Sequence, residues 1–415
     1  MEAGVSEIDR KAGGREKLMR NVVIVEGVRT AIGRMGGALK DVDPDFLSEK
    51  VMREVLFRTG VPGGDIDQVI WGHAKQSSDQ PNIARVAALR AGLPIEVPGY
   101  TVHRQCASGL QAINNAAQEI MCGLSDIVLA GGAESMSNAP YYLRKARYGY
   151  EAGNAELVDS NTESQPRAQP IEVFGNLTMG MTAENLAVKY NISREAQDEF
   201  SLQSQERATA AIRVGKFKRE IVPYELRKKK ETIVFDIDEH PRETSMEKLA
   251  ELKPVFKQGG TVTAGNSSGR NDGASALLLM SDEKAAERGL KPRLRIIAQA
   301  SAGVSPEIMG IGPVPSTYKA LKQAGLSMTD IDLIELNEAF AAQALAVVQE
   351  LGIDRSKLNV NGGAIALGHP LGGTGAILMT KLMHEMERRG SRYGLVTLCI
   401  GGGQGTTTIV ENLRV

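Results

Sequence analysis

The chain has 415 residues, 42% of them hydrophobic and 24% charged, so it can bury more than one core and is expected to form two similar-sized units. Lys and Arg total 49 against 50 acidic residues, a balance that argues against a surface for nucleic acid or anionic membrane. Cys106, Cys122 and Cys399 are too few and too scattered for a disulfide framework or a metal site, and no run approaches the roughly 18 apolar residues of a membrane span.

Residues 1–20 mix acids with Lys and Arg and lack an apolar stretch, which predicts a disordered extension rather than a targeting segment and makes the cytoplasm the default. From residue 21 the pattern is α/β. Strands are expected over 21–26, 66–72 and 100–104, the last running into Gln105–Cys106–Ala107–Ser108–Gly109. A helix over 110–121 and an apolar strand over 126–130, closing on Gly131–Gly132, complete a parallel crossover unit. Residues 141–169 read as loop, 183–213 as strongly helical with many charged positions, 227–231 as a basic run, and 261–273 as a glycine- and asparagine-rich loop. The last third repeats the first plan: strands at 294–300 and 332–335, a helix over 339–351, and a strand at 358–361 entering a glycine-rich turn. A helix to about Arg388 and a strand at 395–400 ending on three glycines follow.

Cys106 stands where a strand hands over to a helix, so unpaired N–H groups and the positive end of the helix dipole favour its thiolate. The competing reading is a small buried apolar residue, the commonest fate of free cysteine. His369 lies in AIALGHPLGGTG (364–375), where little local packing holds it, and would suit a general base for a thiol; otherwise it caps the helix that follows. Cys399 ends an apolar strand beside Gly401, the place where α/β proteins put ligand sites. Asn337 is either a helix cap or an amide that positions a water or an oxyanion. Ser268 either hydrogen-bonds a ligand amide or makes a turn.

Taken together, these segments resemble the thiolase family. The resemblance runs through QCASG (105–109), GGAESMS (131–137), MGMTAEN (179–185), TAGNSSGRNDGASA (263–276), NEAFAAQ (337–343), NGGAIALGHPLGGTG (361–375) and CIGGGQG (399–405). It implies a five-layer αβαβα fold: two duplicated core domains, 21–137 with 265–291 and 292–415, and an inserted loop domain over 138–264. It implies an acyl-CoA C-acyltransferase that cleaves 3-oxoacyl-CoA or condenses acetyl-CoA. Cys106 would attack the substrate carbonyl, His369 take its proton, and Cys399 exchange the proton on the α-carbon. One oxyanion site would combine His369 with a water on Asn337; the other would use the N–H groups of Cys106 and Gly401. Ser268 and Ala264 would contact the pantetheine arm, with Phe256, Met309, Phe340 and Met179 along it and Arg242 near the phosphates. Coenzyme A enters as substrate, with no permanent cofactor or metal, and a homodimer or homotetramer is expected.

Two positions depart from the family pattern. Thr178 stands where many relatives carry His, and His103 where many carry Asn. Residues 102–112 and 238–249 look closer to degradative thiolases of fatty acid metabolism. A β-ketoacyl synthase, a silent acyl-CoA-binding scaffold and a cysteine hydrolase are the rival readings; the second thiol and NEAF speak against them.

Overall fold

The computed structural model describes residues 19–228 and 231–415. The expected N-terminal extension, apart from its last two residues, and Lys229 and Lys230 of the basic run lie outside the described residues. None of the described helices is long and apolar enough to cross a membrane.

Among the described residues nine strands build the central sheet: β1 (Val22–Thr30), β2 (Gln68–Gly72), β3 (Gly99–Val102), β4 (Ile127–Ser135), β5 (Asn271–Ser281), β6 (Leu294–Gly303), β7 (Leu333–Leu336), β8 (Tyr393–Ile400) and β9 (Gln404–Asn412). Their order is β7-β8-β9-β6-β1-β5-β4-β2-β3, with two short strands attached at the side. The principal helices are α1 (Pro44–Thr59), α2 (Ile83–Arg90), α3 (Ser108–Met121), α4 (Met179–Lys189), α5 (Arg194–Arg213), α6 (Pro313–Ala324), α7 (Ala341–Leu351) and α8 (Leu371–Arg389).

The sheet is one plan written twice. From one edge inward, β3, β2 and β4 pair in parallel, then β4, β5 and β1 antiparallel. From the other edge, Leu358 bridges β7 in parallel, β7 pairs β8 in parallel, and β8, β9 and β6 continue antiparallel. The halves meet where β1 pairs β6 at Val23–Arg295 and Ile24–Leu294.

Side-chain alternation along the strands explains the layers. On β1, Val22 and Ile24 face a core that also holds Leu110 and Ile113 of α3 and Met379 and Leu382 of α8. Val23, Val25 and Val28 face the opposite way, toward Leu47 and Val51 of α1 and Ile83 of α2. A third core gathers Leu321 of α6, Val347 of α7 and Ile409 of β9. Outer helices, sheet, central helices, sheet and outer helices make the five layers. The central pair crosses closely because a Cβ on Gly109 would sit 2.8 Å from the Gly372 carbonyl oxygen, and one on Gly375 would sit 2.3 Å from the Leu110 nitrogen.

The helical stretch expected over 183–213 forms two helices, α4 and α5, broken at Asn191, whose φ of 52° no helix interior accommodates. Two expectations change. The strand expected over 358–361 is reduced to a single bridge at Leu358, after which Asn359 takes a φ of 42°. The loop-like 141–169 contains a strand pair, Tyr141–Leu143 with Leu157–Asp159, and three short helical turns.

Candidate active site

The residues that carry chemistry gather where parallel strands end, the usual ligand edge of an α/β sheet. β2 is followed by His73 and Lys75, β3 by Cys106, and β7 by Asn337; Glu134 and Cys399 close β4 and β8. The two central helices add their N-terminal ends, with Cys106 just before α3 and His369 just before α8.

Cys106 occupies a single helical turn, Gln105–Ala107, that leads into α3. The turn is sharp: Gln105 has φ 46°, a left-handed conformation that costs a non-glycine residue about 1–2 kcal/mol. Ser108 fastens it, accepting the Arg104 N–H at 2.9 Å and donating to the Gln105 carbonyl at 2.7 Å. The half-buried thiol faces a cavity of about 190 Å³, whose lining includes His369, Gly401, Lys75 and Ser268. Burial pushes the Cys106 thiol up; the N–H groups of Gly401 and of Cys106 itself, and the charge of Lys75, pull the other way without prevailing. The N–H groups at the helix terminus favour the thiolate as expected, but desolvation outweighs them, and the resting nucleophile is a thiol that needs a base.

His369 supplies one. It is buried and held, not loosely packed as its glycine-rich setting implied. Its Nδ1 lies 2.7 Å from the Thr374 hydroxyl, which spends its only proton on the Pro370 carbonyl at 2.8 Å. Nδ1 must therefore be the protonated nitrogen, and Nε2 carries the lone pair and accepts. Burial lowers the imidazole to about 4, against a smaller upward pull from Glu134, so it is neutral at physiological pH. The side chain does not cap α8; Pro370 occupies the cap position.

Asn337 is fully buried and its amide nitrogen lies 3.4 Å from His369 Nε2. Its Oδ1 has no hydrogen-bond partner among the described residues. A buried unsatisfied carbonyl costs about 1–3 kcal/mol, which a bound water would relieve. It caps no helix, since α7 begins at Ala341 with Phe340 in the cap position.

Cys399 is fully covered and packs with Met309, Ala339 and Phe340 behind the cavity wall. Burial drives its thiol far up, and a negative charge on Cys106 pushes it further. Met179, Phe256, Met309 and Phe340 form an apolar wall of the cavity, Phe256 standing edge-on to Phe340 with ring centres 6.0 Å apart. Ser268 lies on the same lining and donates its backbone N–H to the Ala339 carbonyl at 3.0 Å. Ala264 and Arg242 stay off that lining, joined to each other by an Arg242 guanidinium hydrogen bond to the Ala264 carbonyl at 3.1 Å.

The departures have local structural uses. Thr178 caps α4, its hydroxyl accepting the Met181 N–H at 3.4 Å. His103 is exposed, with Nε2 3.1 Å from the Ala74 carbonyl.

Lys75, Glu134, His73 and Thr374 escaped the sequence reading. Glu134 accepts the backbone N–H groups of Ala74, Lys75 and Gly372 and sits 3.0 Å from His73 Nδ1. Burial alone would raise its carboxyl, but the charge and hydrogen bond of His73 hold it down. It thereby ties the ends of β2 and α8 together beneath Cys106. His73 and Lys75, one and three positions past the expected strand ending at Gly72, were the available signal.

Two family models cover the chain: the thiolase N-terminal domain matches residues 22–283 and the thiolase C-terminal domain residues 290–412. An acetyl-CoA acetyltransferase from Syntrophomonas wolfei is 49% identical over 95% of this chain and 100% of its own length. The crystal structure of the Bacillus anthracis acetyl-CoA acetyltransferase superposes with a TM-score of 0.93 at 49% identity, over 96% of this chain and 100% of that one. That of human mitochondrial 3-ketoacyl-CoA thiolase in complex with CoA gives 0.90 at 46%, over 95% and 98%. With both domain models matched in order and the duplicated five-layer fold in place, the chain belongs to the thiolase family.

Proposed function

We propose that the protein is an acyl-CoA C-acyltransferase that cleaves 3-oxoacyl-CoA with free coenzyme A and runs the same steps backwards to condense acetyl-CoA. One observation carries this reading: a neutral imidazole whose Nε2 holds the lone pair shares a cavity with the Cys106 thiol, and the second thiol, on Cys399, packs behind the wall of that cavity.

In cleavage, His369 Nε2 takes the Cys106 proton and the sulfur attacks the 3-oxo carbonyl. The oxyanion at that carbon faces the N–H groups of Cys106 and Gly401. The bond between C2 and C3 then breaks, its electron pair passing to an acetyl-CoA enolate. The protonated Nε2 and a water on Asn337 Oδ1 stabilise that enolate. Cys399 returns a proton to C2 and is left as a thiolate, and acetyl-CoA leaves. A free coenzyme A then gives its thiol proton to Cys399 and its sulfur takes the acyl group, while the departing Cys106 sulfur recovers its proton from His369 Nε2. The high resting value of Cys399 suits a group that must be protonated before it donates. The relative solved with CoA supports coenzyme A as the partner. Ser268 would meet the pantetheine amides and the wall of Met179, Phe256, Met309 and Phe340 its apolar stretch, while Arg242 with Ala264 would serve the phosphate end outside the cavity.

The reading extends to domain limits at 21–137 with 265–291, 138–264 and 292–415, to a homodimer or homotetramer, and to a cytoplasmic place in fatty acid metabolism. Residues 102–112 support a degradative role.

The test is coenzyme A-dependent cleavage of acetoacetyl-CoA, run as a series from four carbons upward. Consumption of free coenzyme A is expected. A synthase, a hydrolase or a silent binder would consume none.

A further inference from the structure

A second cavity, of about 480 Å³, joins the first through Lys75, Gln105 and Ser164, and shares none of the apolar wall. It opens from the Cys106 cavity at the end lined by Lys75. Its lining carries three cations, Lys75, Arg144 and Arg167, against the single carboxylate of Glu163, which already pairs with both arginines.

Lys75 is the anomaly. It is buried, with only 8% of its surface exposed, yet no carboxylate among the described residues forms an ion pair with it. Its ammonium donates to the Ser160 carbonyl at 3.0 Å and to the Ser164 hydroxyl. An ammonium has three donors, so one remains unspent at the junction of the two cavities. Burial pulls its pKa down, against the upward pull of Glu134, Cys106 and Asp159, and the idle donor is left to meet a further anionic group.

We propose that the side cavity is the subsite for the far end of the acyl chain, and that Lys75 selects 3-oxoacyl-CoA substrates whose chain ends in a carboxylate. The inference rests on the thiolase reading and names its substrate class. The thioester end lies against the apolar wall, the 3-oxo carbon at Cys106, and the terminal carboxylate at Lys75, with Arg144 and Arg167 setting the field behind it.

The test compares kcat/KM for thiolysis of two six-carbon 3-oxoacyl-CoA substrates, one ending in a carboxylate and one in a methyl group. The wild-type chain is expected to prefer the carboxylate by about tenfold or more, the scale of one charge-assisted hydrogen bond. In Lys75→Met the ratio should fall to about one or invert, a charge effect of the same order. The ratio cancels any influence of Lys75 on Cys106, because both substrates share the nucleophile. Equal rates for the two in wild type overturn the proposal, as they would if the cations grip the phosphates that both substrates carry. An unchanged ratio in Lys75→Met also overturns it. Acetoacetyl-CoA is the control: if it is cleaved while the carboxylate is not preferred, only the subsite fails, and if it is not cleaved the thiolase reading fails too.

Discussion

The amide nitrogen of Asn337 lies 3.4 Å from Nε2 of His369, while the carbonyl oxygen of the same amide is buried with no hydrogen-bond partner among the described residues. The pair couples the base to an empty acceptor, and that oxygen is where a water can be held to face developing negative charge. Asn337→Ala removes the holder. Turnover is expected to fall about 10²–10³-fold, the usual effect of losing one oxyanion donor. Acylation of Cys106 by acetyl-CoA should fall less. Steady-state rates set against single-turnover acylation check this, and an equal loss in both would assign Asn337 to the nucleophile's activation instead.

Thr374 fixes which nitrogen of His369 carries the proton. Thr374→Val keeps the shape and removes the acceptor for Nδ1–H. The variant should fold normally and lose part of the roughly 10²–10⁴-fold that a general base supplies. Thr374→Ser, which restores the hydroxyl, should recover most of it. Failure of the serine to rescue would show that packing, not the tautomer, is what Thr374 provides.

The ionisation states set the pH behaviour. His369 must be neutral to accept a proton, and burial moves its value from 6.5 to about 4, so its protonated form accumulates only near and below that pH. The acid limb of kcat/KM assigned to it should therefore lie well below 6.5. Cys106 is pushed above its ordinary 9.0, so the thiolate fraction is small at neutrality and grows with pH. Its alkylation by iodoacetamide should keep accelerating through about pH 9, the ordinary thiol range. A plateau near neutrality would mean a preformed thiolate–imidazolium pair.

Gly109 allows α3 and α8 to cross. A Cβ there meets backbone atoms, the Gly372 oxygen at 2.8 Å and the Ala376 nitrogen at 3.1 Å, so neither neighbour can rotate away. Gly109→Ala should destabilise the fold by about 1–3 kcal/mol, as overpacking does. Because those helices begin beside Cys106 and His369, activity should drop with stability. Urea unfolding and kcat measured on the same sample test the link; lost stability with full activity would break it.

The fold was legible where periodicity and glycine punctuation coincide. The crossover through Cys106 and its counterpart through residues 358–400 follow apolar strand, tight turn and apolar helix, and each was read near its true place. β9 was not read because Thr406, Thr407 and Thr408 are polar by name, yet all three are buried and bond other hydroxyls, amides or carbonyls inside the sheet. α6 opens on Pro313–Val314–Pro315, which reads as turn until the first helical positions, where proline is tolerated, are recognised. The break at Asn191 depends on a left-handed residue that helical composition on both sides conceals.

At the site, the cysteines and His369 stood out because their glycine settings are local. Lys75 and Thr374 did not, because their meaning is tertiary. Lys75 acts through Ser160 and Ser164, some ninety residues away along the chain, and Thr374 through the tautomer of a neighbour. The preference for a thiol over a thiolate at Cys106 was likewise beyond local reading, since the helix terminus is visible in sequence and the depth of burial is not.

The division of labour between the two sulfurs is tested most directly by intact-mass analysis of Cys106→Ala and Cys399→Ala after incubation with acetyl-CoA, alongside their turnover. Cys106→Ala should carry no acyl group. Cys399→Ala should carry one acetyl group on Cys106 while thiolysis and condensation collapse by about 10²-fold or more, the range of a lost acid–base group. Normal turnover by Cys399→Ala, or an acetyl group found on any residue other than Cys106, would contradict the account.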